Sequence, residues 1–124
     1  MKAITYRTMW GPEAREMEGF PTGVPGLVVS STPSGFVIAH VRSGAWVAKG
    51  FDDPEAALAA AQLIGPLADW TCTGAEMQEY PKRPGFQHEL VSIADRFGGR
   101  APSAGSYKPD ALPAHVLNDN GVIA

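Results

Sequence analysis

Two hydrophobic rhythms organise this chain, one with a period of two and one with a period near four. Residues 2–10 alternate Ile4, Tyr6, Thr8 and Trp10 against Ala3, Thr5, Arg7 and Met9, the pattern of a strand. Three short runs at 27–31, 36–41 and 45–51 are rich in β-branched and aromatic residues and predict three more extended segments. Thr32-Pro33-Ser34-Gly35 and Val41-Arg42-Ser43-Gly44 end alike in serine and glycine, which suits three-residue hairpin loops closed by a left-handed glycine.

That hairpin geometry sets Thr32 opposite Phe36 and Val41 opposite Ala45, and with them the face of every side chain. One face collects Leu27, Val29, Val37, Ala39, Val41, Ala45 and Val47. The other collects Val28, Ser30, Phe36, Ile38, His40, Trp46 and Ala48. Neither face is polar, so both require cover.

The period then lengthens. Asp53 is placed to cap a helix over 54–64, with Pro54 at its first position and Glu55 near its positive end. The helix is rich in alanine and suited to lie close on the small aliphatic face, until Gly65-Pro66 stops it. Phe86, Leu90, Ile93 and Phe97 form the apolar stripe of a second helix over 86–97, ended by Gly98-Gly99. Residues 11–26 carry Gly-Pro and Pro-Gly steps around the acidic stretch from Glu13 to Glu18. They are expected to form a long loop with one helical turn at 13–17. The expected fold is α+β: a three- to four-stranded antiparallel meander with a helix packed on one face, a second short helix, and an extended C-terminal tail. The domain is expected over 1–99, with 100–124 as a Pro/Gly-rich tail.

Composition narrows the function classes. In 124 residues, 44% hydrophobic and 19% charged, there is enough apolar surface for one core without metal or disulfide staples. A net charge of −3 disfavours a nucleic-acid footprint, which normally needs a basic stripe. Cys72 is the only cysteine, which fits a reducing compartment. Residues 1–17 lack a signal-peptide pattern, and the longest apolar stretch, 56–68, is interrupted by Gln62, Gly65 and Pro66. A cytoplasmic location without membrane association is expected.

Candidate chemistry is sparse. His88-Glu89 would need a second histidine at 92, where Ser92 stands, and His40, His88 and His115 share no ligand spacing. Cys72 lies in Thr-Cys-Thr, which matches no nucleophile motif, and the glycine-rich steps at 98–100 and 105–108 lack P-loop spacing. No enzyme activity, metal or cofactor is expected. The informative residues are Phe36, Ile38, His40 and Trp46, read as a partner-binding or self-association face, with the 11–26 loop beside it.

The segment from Gly35-Phe36-Val37-Ile38-Ala39-His40-Val41 through Gly50-Phe51-Asp52-Asp53-Pro54-Glu55-Ala56-Ala57 resembles the arm-type DNA-binding domain of tyrosine recombinases. More loosely, it resembles a double-stranded-RNA-binding domain. The resemblance implies a nucleic-acid accessory role with Arg42, Lys49, Lys82 and Arg83 on phosphates. Those families place several cations on the strands or the helix start, whereas here the helix opens on Asp52, Asp53 and Glu55, which repel phosphate. In style the sequence also resembles small uncharacterised proteins of phages and mobile elements of high-GC bacteria. The favoured expectation is a non-enzymatic macromolecule-binding protein, of phage or mobile-element type, that acts by occupying a host protein. Two alternatives stand beside it: a structural subunit of a larger particle such as a phage virion, and the nucleic-acid module.

Overall fold

The computed structural model describes residues 3–10 and 13–102. Five strands pair consecutively into one antiparallel meander: β1 (Ile4–Trp10), β2 (Glu13–Pro21), β3 (Leu27–Thr32), β4 (Gly35–His40) and β5 (Trp46–Phe51). Three α-helices follow among the described residues, α1 (Pro54–Ile64), α2 (Gly74–Met77) and α3 (Phe86–Arg96). The class is α+β, with five strands where three or four were expected.

The extra strand is β2, which replaces the loop and helical turn expected at 11–26. It pairs with β1 along the whole hairpin, from Ile4↔Gly19 to Trp10↔Glu13. Its residues alternate once a neighbour is supplied: Met17 and Gly19 turn inward while Glu16, Glu18 and Phe20 are exposed. Helix propensity in the acidic stretch yields here to the hydrogen bonds β1 needs.

The β1–β2 hairpin joins the rest of the sheet through only two pairs, Phe20↔Val29 and Pro21↔Val28. Beyond them it swings over the face of the sheet opposite the helices. There Tyr6, fully buried, packs with Val28, Ala39 and Val41, with Ile4, Met17 and Trp46 around them. The far end of β1 settles on the β4–β5 turn, where the Thr8 hydroxyl donates to the Gly44 carbonyl at 2.6 Å. Gly44 has φ +73, and a Cβ there would stand 2.2 Å from the Arg7 carbonyl oxygen, so the contact requires glycine.

The larger core lies on the helix side. Leu27, Val29, Ile38, Val47, Ala48 and Phe51 of the sheet pack against Ala57, Ala60, Ala61 and Ile64 of α1 and against Phe86, Leu90 and Ile93 of α3. Both helices stand where periodicity put them, with α3 one residue shorter. The Asp53 carboxylate accepts from the Ala56 amide at 2.7 Å, with Pro54 opening the helix. Alanines on the buried side of α1 let it approach the sheet closely. After it, the Trp70 indole donates to the Ile64 carbonyl at 3.2 Å.

The boundary drawn at residue 100 falls on a contact. Arg100 exchanges backbone hydrogen bonds with Lys49 on β5, and the Gln87 amide of α3 donates to the Pro102 carbonyl at 3.0 Å. The remainder of the expected tail, 103–124, lies outside the described residues. No described helix is long and apolar enough to cross a membrane.

Candidate functional site

The expectation that Phe36, Ile38, His40 and Trp46 share one face does not hold. The β3–β4 connection is a two-residue turn, Pro33-Ser34, so Thr32 pairs with Gly35 and Leu27 with His40. Register shifts by one residue from the expected Thr32–Phe36 pairing, and a one-residue shift turns every side chain of a strand over. Phe36, Ile38 and His40 therefore face the helices, and Ile38 and His40 are fully buried. Trp46 pairs with Ala39 and sits half-buried in the opposite core. For the same reason Val37, opposite Ser30, leaves the helix side. Irregular pairing between β4 and β5 recovers the expected Ile38–Ala48 pair and keeps Val47 in the helix-side core.

His40 has a structural part. Its Nε2 lies 2.9 Å from the Cys72 carbonyl oxygen, which can only accept, so Nε2 carries a proton. Its Nδ1 lies 2.7 Å from Ser43 Oγ, and the Ala45 amide donates to that same hydroxyl at 3.1 Å. The ring meets Trp70 edge-on at 6.3 Å. A buried imidazole thus joins the β4–β5 turn to the segment after α1. Half-buried Cys72 contributes its backbone to that joint, His88 is exposed on α3, and His115 lies outside the described residues. Among the described residues no three His, Cys, Asp or Glu side chains converge as a metal site.

The four candidate cations come from the β4–β5 turn, from β5 and from the segment before α3. Arg42 is on the β4–β5 turn within the electrostatic reach of Glu76. The Glu76 carboxyl is held below its ordinary value chiefly by the Thr73 amide, then by the Thr73 hydroxyl, with Arg42 adding less. Lys82 pairs with Glu79 at 3.1 Å. The Arg83 guanidinium lies over the Tyr80 ring, 4.4 Å from its centroid. Lys49 stands on β5 beside Arg100.

The exposed large apolar side chains among the described residues lie on β2, α1 and α3. Phe20 is 53% exposed, more than any other large apolar side chain among the described residues, and Leu63 on α1 is 42% exposed. Immediately after Phe20, residues 21–28 and Ile4 line a shallow cleft of about 280 Å³ whose walls include Pro21, Val24, Pro25, Leu27 and Val28. Its loop is held from within. The Thr22 hydroxyl donates to the Leu27 carbonyl at 3.0 Å and accepts from the Val24 amide at 3.0 Å. Gln62 of α1 donates to the Thr22 carbonyl. Gly26, with φ +89, lies so close to Trp70 that a Cβ would be 2.1 Å from its carbonyl oxygen. The cleft is therefore preformed, its loop fastened to α1 and to the turn that follows it.

In the sequence this region stands beside the expected face as the 11–26 loop, and Phe20 is not singled out. The available signal was the alternation Glu16, Glu18, Phe20 against Met17 and Gly19, obscured by the flanking Gly and Pro. In comparisons with known proteins, no family model, no curated protein and no solved structure matches the chain.

Proposed function

We propose that this is a non-enzymatic, cytoplasmic binding protein that acts by occupying a protein partner, and that it docks through Phe20 and the 21–28 cleft. One observation carries the reading: Phe20, the most exposed large apolar side chain among the described residues, immediately precedes in sequence the fastened loop that lines an apolar cleft. Exposed aromatic side chains are among those that concentrate binding energy in protein interfaces. Because the loop is already fastened by Thr22 and Gln62, little ordering entropy opposes docking. The nucleic-acid reading is weaker, since Lys82 and Arg83 are engaged by Glu79 and Tyr80.

The test is capture from a lysate on immobilised protein, followed by titration of the purified captured partner against variants. Phe20→Asp is expected to abolish capture, while Val91→Asp on the exposed side of α3 leaves it intact. A captured partner whose affinity is the same for Phe20→Asp as for the parent protein overturns this surface. Light scattering on the protein alone separates a hetero-partner from self-association through the same residues.

A further inference from the structure

We infer that the joint around His40 is an acid-sensitive latch, which takes up a proton only by letting go of the 69–73 segment. The imidazole is fully buried, and its two nitrogens hold two separate parts of the chain. Nε2 donates to the Cys72 carbonyl at 2.9 Å, so Nδ1 of the neutral ring accepts the proton of Ser43 Oγ at 2.7 Å. A second ring proton has to enter at Nδ1, the position that the serine proton occupies. It would create a charge among a carbonyl, a hydroxyl and the edge-on ring of Trp70. Burying a charge among neutral dipoles costs far more than burying the neutral ring. The charged groups on the elements around the ring favour the same form. β3 carries no titratable side chain, the β4–β5 turn brings the cation Arg42, and Lys49 of β5 is an exposed cation. After α1, the Asp69 carboxylate accepts from the Thr71 amide and hydroxyl, and the Cys72 thiol is neutral in acid. In α2 the Glu76 carboxylate accepts from the Thr73 amide and hydroxyl, and on α3 His88 and Glu89 are exposed. An opened ring protonates near pH 6.5, so the latch is fully effective above that value and weakens as pH falls below it, by a factor of about thirty at pH 5. Opening also withdraws the Trp70 carbonyl against which Gly26 of the cleft loop is packed.

Amide hydrogen exchange of the full chain, corrected for the intrinsic pH dependence of exchange, tests this. The Ala45 amide donates to Ser43 Oγ, and the Cys72 amide donates to the Asp69 carbonyl at 3.2 Å. Protection of both should fall at least tenfold between pH 7.5 and pH 5. His40→Gln keeps a donor for the Cys72 carbonyl and cannot titrate, so its protection should change less than threefold. His88→Gln, on the exposed side of α3, should behave as the parent protein does. An equal fall in His40→Gln overturns the inference, as does unchanged protection in the parent. So does exchange of the Ala61 amide of α1 as fast as that of Ala45 at pH 5, because the chain then opens as a whole. Should His40→Gln not fold, the ring nitrogen shifts of His40 in the parent decide. A ring that stays neutral below pH 6.5 while the two amides remain protected supports the latch. A ring that takes up its proton near pH 6.5 with both amides still protected overturns it.

Discussion

The hydroxyl of Tyr6 donates to Ser30 Oγ at 2.6 Å across 24 residues of sequence, and Ser30 passes the bond on to the Glu18 carbonyl at 2.9 Å. The direction follows from the end of the chain: a carbonyl only accepts, so the serine proton goes to Glu18 and the tyrosine proton to serine. Two strands that diverge after two backbone pairs are held together by this relay of side chains.

Ser30→Ala should therefore cost more than Tyr6→Phe. Without Ser30, a buried phenol loses its acceptor, at about 1–3 kcal/mol; without the Tyr6 hydroxyl, serine still bonds Glu18 and the loss is about 0.5–1.5 kcal/mol. Urea unfolding of both variants and the double variant checks this, with the two effects less than additive. An additive result would show that the residues act separately.

Alkali should unfold the protein through the same residue. Burial raises the Tyr6 phenol above its ordinary value, and the Ser30 hydrogen bond only partly offsets this. The folded state thus holds the proton more tightly than the unfolded state. Tyr6 stabilises the fold fully below about pH 10, the unfolded value, and that contribution declines as pH rises toward the higher folded value. Denaturation midpoints between pH 8 and 11 should fall more steeply for the parent protein than for Tyr6→Phe. Parallel curves would contradict the assignment.

Ile38 lies fully buried beneath α1, paired with Ala48. Ile38→Ala should cost about 2–5 kcal/mol through lost burial and the cavity left behind. Had the face been exposed, the same change would alter stability by no more than about 0.5 kcal/mol. Chemical denaturation distinguishes these outcomes directly.

At the start of α1, Asp53→Ala should cost about 1 kcal/mol because the Ala56 amide loses its acceptor. The exposed Asp52 lies one residue before the cap, and Asp52→Ala should leave the melting temperature nearly unchanged. Greater sensitivity at Asp52 would place the helix start elsewhere.

How much of this was legible depended on the range of the interaction involved. The two longer helices were readable because their determinants are local: Asp53 and Pro54 open α1, Gly65-Pro66 closes it, and Phe86, Leu90 and Ile93 repeat along one side of α3. The existence of β3, β4 and β5 was readable from their β-branched and aromatic runs. Which way their side chains point was not. A serine-glycine ending suits both a two- and a three-residue hairpin, and choosing the former moved Ile38 and His40 from a supposed surface into the core. The same limit hid β2, whose acidic residues specify no strand until β1 lies beside them. Local capping and periodicity are properties of neighbouring residues and belong to the sequence by itself. Register, the folding of the β1–β2 hairpin over the sheet, and the exposure of Phe20 were decided only by tertiary structure. They depend on contacts such as Tyr6 with Ser30 and Thr8 with Gly44, between residues far apart in the chain.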